Sequence, residues 1–280
     1  MESGKKDTKT RLLIAAVGIP VLILVLSVLP LIALPLALAL INVCCAIEFI
    51  RAVKTVDKNR IFIMPVLSAA VIPFGVYFGH GTGIFMICLY LTSASMFFEL
   101  MRSRKHVSGF GVAGALAGVF CGAVTPMFMS YLVDLRGFPY GRYLVLLPFV
   151  VSMFGDTGGY FLGRKFGKHH PFPDISPKKS TEGCLGSLAF SIVFTVLFGA
   201  VVSLLSDAEP CYGNLALLGL AVNPAAQFGD LVFSAVKRET GIKDFSRILG
   251  DHGGMQDRFD STVFAVPVVW AFVNLLPVFR

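Results

Sequence analysis

Residues 184–205 read CLGSLAFSIVFTVLFGAVVSLL, a run of 22 positions without a charge. A helix crosses the hydrocarbon core of a bilayer with about 20 mostly apolar residues, so this run is long enough to span. Eight more stretches have that character: 12–29, 30–50, 61–78, 83–101, 109–133, 143–162, 212–236 and 263–279. The whole chain agrees. Of its 280 residues 55% are hydrophobic and only 15% charged, with a mean hydropathy of +0.77. A soluble domain carries about 25% charged residues, enough to cover its surface. Soluble globular, disordered, coiled-coil and disulfide-scaffold classes are therefore disfavoured, and the expectation is an all-α polytopic membrane protein of about nine transmembrane helices.

The first two spans nearly abut. Leu29-Pro30 separates them, because a proline disfavours helix at the residue before it. The basic N-terminus (Lys5, Lys6, Lys9, Arg11) before an apolar run resembles a signal peptide. The run 12–29 is long enough to span and ends in no small-x-small site, so it reads as an uncleaved first helix. Asn223, Pro224, Gln227 and Asp230 allow a break in the helix over 212–236. There is no internal repeat. The expected division is 1–108 for the first four helices and 109–280 for a catalytic membrane region with loops 163–183 and 237–260. The six cysteines form no C-x-x-C pair and no zinc or iron–sulfur spacing, and read as membrane thiols.

Charge sets the topology. With the N-terminus in the cytoplasm, all of the 24 Lys and Arg residues except Arg136, Arg142 and Arg280 fall on the cytoplasmic side. That is a strong positive-inside pattern. The net charge of +7 is then largely topological and calls for no nucleic-acid partner.

Four acids lie inside or at the ends of apolar runs, all toward the cytoplasmic side: Glu48, Glu99, Asp156 and Asp230. Ionisable groups in spans are costly and face protein or a water-filled cavity. Glu48 and Glu99 sit within a few residues of Arg51 and Arg102, which favours pairing at helix ends. Asp156 precedes Thr157-Gly158-Gly159, and Asp230 follows Gln227 and Gly229. Small neighbours let a ligand approach the backbone. A carboxylate satisfied by a neighbouring helix is the alternative.

Two loops concentrate the remaining polar residues. Residues 234–260 read SAVKRETGIKDFSRILGDHGGMQDRFD, with acids Glu239, Asp244, Asp251, Asp257 and Asp260 beside five bases. Carboxylates without thiolates suit hard cations such as magnesium, and adjacent Lys and Arg suit phosphates. Residues 163–183 read GRKFGKHHPFPDISPKKSTEG. Here Lys178-Lys179 lies on a turn, and Ser180 and Thr181 could cap a helix whose N-terminus favours phosphate. His169-His170 is a metal-ligand pair by residue type, but an exposed basic surface facing anionic lipid is the more ordinary reading. The chain has no P-loop, G-x-S-x-G or kinase signature.

The pattern Ser234-x-x-Lys237-Arg238-x4-Lys243-Asp244, then His252-Gly253-Gly254-x-x-Asp257-Arg258-x-Asp260, resembles the signature of the phosphatidate cytidylyltransferase (CDP-diacylglycerol synthase) family. Gly229-Asp230, Asp156 with Tyr160, Gly163-Arg164, Phe166-Gly167-Lys168 and the run from Ser176 to Gly183 extend the resemblance upstream. It departs at Gly250, where the family more often has Pro, and at Asp251, where a small residue is common.

The resemblance implies transfer of the cytidylyl group of CTP to phosphatidate, with release of pyrophosphate. It implies magnesium, with room for potassium as a second cation, and an active site on the cytoplasmic face of the inner membrane, often in a homodimer. By it, Asp230 and Asp257 are the metal ligands. Lys237, Arg238, Lys243, Asp244 and His252 join them as catalytic candidates. Lys178, Lys179, Ser180, Ser234, Arg258, Gly253, Gly254 and Asp156 are candidates for substrate binding. A CTP-dependent lipid-alcohol kinase and a secondary transporter remain as alternatives.

Overall fold

The computed structural model describes residues 18, 20–53, 60–103, 111–250 and 253–280. Among these, regular structure is helical: α1 (Ala33–Ala52), α2 (Arg60–Tyr77), α3 (Gly81–Ser103), α4 (Val112–Gly137), α5 (Leu147–Phe166), α6 (Thr181–Leu205), α7 (Tyr212–Glu239) and α8 (Gln256–Leu275). Extended pairing among the described residues is limited to one antiparallel bridge, Pro210 with Phe279.

Among the described residues, six helical stretches are long and apolar enough to cross a membrane: Ala33–Ala52, Gly81–Arg102, Val112–Gly137, Gly141–Phe166, Thr181–Leu205 and Tyr212–Glu239. They match six of the expected spans. The apolar part of α2, Phe62–Tyr77, is shorter. Helix α8 opens with Asp257, Arg258 and Asp260, so its apolar part is short as well. Of the expected first span, residues 12–17 and 19 lie outside the described residues, and residues 20–23 are helical. Its end is the π-helical Leu24–Val28, after which Leu29 is extended (ψ 158°) ahead of Pro30, as the proline requires.

Helix α6 shows why the molecule is an integral membrane protein. Its buried face consists of Gly183, Gly186, Ser187, Ser191, Thr195, Gly199 and Val202. Its outward face carries Leu185, Val193, Leu197, Val201, Leu204 and Leu205, with Leu204 84% exposed. A water-soluble helix buries its large apolar side chains, so this one is inside out. Lipid solvates the large side chains, and small residues let helices approach one another.

The contacts divide the chain into two compact units: Met1–Asp134 with Thr240–Arg258, and Leu135–Glu239 with Phe259–Arg280. The first half of α4 packs against the helices before it: a β-carbon at Gly122 would lie 2.5 Å from Pro65 Cα of α2, and Phe120 meets the Phe49 ring of α1 at 6.0 Å.

In the first unit, Glu48 of α1 is buried, but not in a pair with Arg51 as expected. It accepts hydrogen bonds from Ser246 Oγ and from the backbone N–H groups of Met255 (3.0 Å) and Gln256 (2.8 Å). The first turn of a helix has N–H groups without helical partners, and a carboxylate there satisfies them and suits the helix dipole. Glu48 thus caps α8 from another helix. Phe245 stacks on Phe49 at 5.7 Å and holds the same loop to α1.

In the second unit, α5 and α6 pack along Gly155, Gly159 and Gly163 of one helix and Gly183, Ser187 and Ser191 of the other. A β-carbon at Gly159 would meet Gly183 O at 3.4 Å, and one at Gly163 would meet Gly183 Cα at 3.3 Å. Helix α7 joins them, with Gly219 against the backbone of Ser191 and Ile192. It runs unbroken through Pro224, which corrects the expected break. The physical reason is lateral support. Asn223 Nδ2 donates to Ser187 Oγ (2.9 Å) and Ser191 Oγ (2.7 Å), fixing the helix where the proline removes a backbone donor.

Gly158→Ala is expected to destabilise the protein by about 1–3 kcal/mol, because its β-carbon would lie 2.4 Å from Phe190 Cγ and 2.7 Å from Gly186 O. Gly213→Ala, with open space around it, is expected to be neutral. Thermal unfolding in detergent compares the two, and equal effects would contradict the close-packing account. Glu48→Ala is expected to speed hydrogen exchange at the Met255 and Gln256 amides. Unchanged protection there would remove the capping role.

Candidate active site

The second unit holds a cleft of about 220 Å³ between the middle of α5, the start of α6 and α7. Its lining includes Asp156, Gly159 and Tyr160 of α5, Ser176, Lys178 and Lys179 of the connecting loop, Ser180 and Cys184 at the start of α6, and Gln227 and Asp230 of α7. Five sequence-predicted site residues therefore meet here: Asp156, Lys178, Lys179, Ser180 and Asp230.

The geometry is built from the α6 N-terminus. Ser180 is extended (φ −117°, ψ 155°) and its Oγ accepts from Gly183 N at 3.1 Å, which makes it an N-cap. Glu182 in the first turn reaches back over the loop. It accepts from the backbone N–H of Lys168 (3.1 Å) and His169 (3.3 Å), and its Oε1 lies 2.7 Å from His169 Nδ1. His170 Nδ1 lies 3.1 Å from Lys179 O. The adjacent histidines thus fasten the basic loop to α6 and deliver Lys178 and Lys179 to the cleft.

Lys179 crosses to α7. Its Nζ lies 2.7 Å from Asp230 Oδ2 and donates to Gln227 O at 3.3 Å. Gln227 Nε2 donates to Cys184 O (3.2 Å) and to Asn223 Oδ1, continuing the network to Ser187 and Ser191. The side chains of Lys179 and Asp230 are 22% and 30% exposed, so the pair is partly shielded and still open to the cleft. Asp156 feels the charges of both Asp230 and Lys179. Asp260 on α8 feels Asp230, Lys237 and Asp156. Three carboxylates thus share the field of two lysines.

The other candidates fall around this centre or elsewhere. Ser234, one turn beyond Asp230, donates to Asp230 Oδ1 at 3.5 Å. Arg238 Nε donates to Ile175 O at 3.2 Å, tying the end of α7 to the basic loop. Lys243, Asp244, Gly253, Gly254, Asp257 and Arg258 belong to the first unit. There Asp257 Oδ2 accepts from the N–H groups of Phe245 (2.8 Å) and Gly254 (3.0 Å). Gly253 adopts φ +78°, and a β-carbon at Gly254 would run into the Glu48 carboxylate, so the Gly-Gly pair is what this turn requires. His252 lies outside the described residues.

Among the described residues no three His, Cys, Asp or Glu side chains form a ready-made metal cage. Magnesium does not need one: it is commonly held by one or two carboxylates together with substrate phosphates and water. Asp156 and Asp230 are an oxygen-only donor set of that kind, with one Asp230 oxygen engaged by the Lys179 ammonium and the other facing Ser234. The residues present fit a hard divalent cation.

Sequence reasoning missed Glu48 as the α8 cap, and Asn223 and Gln227 as the scaffold of the cleft. The i, i+4 spacing of Asn223 and Gln227 in an apolar helix was a signal for the second pair. Nothing in the sequence links Glu48 to residues two hundred positions away.

A protein named phosphatidate cytidylyltransferase from Mycobacterium leprae is 39% identical over 188 residues, covering 63% of this chain and 58% of its own length. Proteins of that name from Bacillus subtilis (35% over 161 residues, 57% of each chain) and Aquifex aeolicus (37% over 147 residues, 51% of each chain) are also similar. The chain thus spans between about half and six-tenths of the length of these curated relatives. The model of the cytidylyltransferase family matches residues 9–276, nearly the full sequence, and the chain belongs to that family.

Proposed function

We propose that this protein transfers the cytidylyl group of CTP to phosphatidate, forming CDP-diacylglycerol and pyrophosphate. The observation that carries the reading is the cleft itself: in a cytidylyltransferase family member, Lys178 and Lys179 meet Asp156 and Asp230 at one end of an apolar helix pair. A water-soluble nucleotide and a membrane-bound phosphate can meet only at such a boundary.

In the reaction, an oxygen of the phosphatidate phosphate attacks the α-phosphorus of CTP. The bond from that phosphorus to the oxygen bridging toward the β-phosphorus breaks, and pyrophosphate leaves with the electron pair. The attacking oxygen is already ionised, so no general base is needed. Catalysis is positioning and charge neutralisation. Lys178 and Lys179 clamp phosphate oxygens, and Asp230 with Gln227 O holds the Lys179 ammonium in place. The α6 N-terminus adds its dipole on the same side. Asp156 and Asp230 would hold magnesium, which when bound would supply charge neutralisation at the phosphates. Asp257, the other ligand that the resemblance implies, shapes the Gly253-Gly254 turn through two backbone amides. Tyr160 and Phe161 expose about 60% of their surface beside the cleft, an apolar approach for acyl chains. The same proposal places the cleft on the cytoplasmic face of the inner membrane, in a homodimer.

Purified protein given phosphatidate and CTP labelled at the α-phosphate is expected to put label into lipid, and γ-labelled CTP is not. Lys179→Gln is expected to lower the rate about 100-fold. Lipid label from the γ-phosphate only would mean a kinase, and no lipid label from either would leave transport. Normal turnover in Lys179→Gln would remove the cleft from the chemistry.

A further inference from the structure

A second cleft, of about 460 Å³, lies at the other end of the same helix pair. It sits where α4 finishes and the turn Gly141–Leu144 leads into α5, next to the end of α6. Along α6, Cys184 of the first cleft and Ser206 of the second are 22 residues apart, so at 1.5 Å per residue they lie about 33 Å apart, close to the thickness of a hydrocarbon core. The lining includes Arg136, Tyr140, Arg142, Tyr143, Ser206 and Asp207.

Three observations make it more than a gap. First, Arg136 and Arg142 are two of the three basic residues expected on this side of the membrane, and both line the one cavity. Second, they are close enough for the charge of Arg142 to act on Arg136, which is itself partly desolvated. With Asp207 as the one acid beside the two arginines, the lining carries an excess of positive charge. Third, the backbone between them is strained. Tyr140 is the one described non-glycine residue with positive φ (57°), a conformation that disfavours side chains. Gly141 follows because a β-carbon there would lie 2.3 Å from Arg136 O. The strain turns the chain back so that Arg142 faces the same cavity as Arg136.

We propose that this cleft binds a phosphate group, with Arg136 and Arg142 as its ligands, on the membrane face opposite the catalytic cleft. Arginine presents five N–H donors in a planar fork that matches phosphate oxygens, so bonds within the protein leave room for a ligand. The cleft opens at the end of membrane-crossing helices, the depth of phospholipid headgroups. Asp207 at the rim adds an acceptor. It suits a headgroup with a donor of its own, the hydroxyls of glycerol or the ammonium of ethanolamine, and disfavours choline, which has none.

Thermal unfolding of the full chain in detergent, with added lipid or phosphate, tests this. Phosphatidylglycerol and phosphatidylethanolamine are expected to raise the melting temperature, and phosphatidylcholine to do so far less. Arg136→Gln with Arg142→Gln is expected to weaken that response at least tenfold in lipid concentration. Lys179→Gln, in the catalytic cleft, is expected to retain it. A response to inorganic phosphate matching that to the lipids, and lost with the arginines, supports the site and assigns it to the soluble anion. No response to any of them, or an undiminished response in the double variant, would overturn the proposal. Should the double variant fail to fold, Arg142→Lys provides the second measurement: it keeps the charge and is expected to bind more weakly, and wild-type binding in it would overturn the bidentate role.

Discussion

Helices α5 and α6 lie so close that a β-carbon at Gly163 would touch the backbone of Gly183, and the functional geometry of the second unit rests on that closeness. In a bilayer, large side chains gain nothing by leaving lipid, so helix association depends on small residues that let backbones approach. The line Gly155, Gly159, Gly163 on one helix and Gly183, Ser187, Ser191 on the other satisfies that condition. It also leaves space at one end where larger residues would have filled the seam. Asp156 and the Lys178-Lys179 turn border that space, and α7 closes it with Gln227 and Asp230.

The same packing resolves the cost of polar groups in an apolar helix. Asn223 and Gln227 would be expensive facing lipid. Instead they donate to Ser187, Ser191 and Cys184 O, so the polar atoms that stitch α7 to α6 are satisfied inside the bundle. The network ends on Lys179, whose ammonium lies between Gln227 O and the Asp230 carboxylate. A structural hydrogen-bond chain thus continues into the group proposed to clamp phosphate. Packing and chemistry share the same residues, and a change in one reaches the other.

The membrane class was legible from charge-poor runs such as 184–205, because a span needs only length and apolarity. The residues of the cleft were legible for a related reason: Asp156, Asp230 and Lys178-Lys179 stand out against apolar neighbours. What the sequence did not reveal was the partner of each. Glu48 lies three residues from Arg51, and local spacing favoured that pair. The fold turns Glu48 inward to cap α8, where backbone amides without helical partners satisfy a buried carboxylate. Pro224 suggested a break because its missing donor is visible in sequence, whereas the lateral bonds of Asn223 that steady the helix arise only in three dimensions. The compact units likewise depend on packing of α4 against α2 that hydropathy does not encode.

Cys184 lies in the lining of the cleft proposed to bind substrate, whereas Cys211 lies beyond it at the start of α7. Both thiols are partly exposed. The most direct test of where substrate binds is therefore the alkylation rate of each thiol, read by peptide mass spectrometry with and without CTP, magnesium and phosphatidate. Substrates are expected to slow alkylation of Cys184 severalfold and leave Cys211 unchanged. Equal rates at Cys184 with and without saturating substrates would contradict the assignment of this cleft.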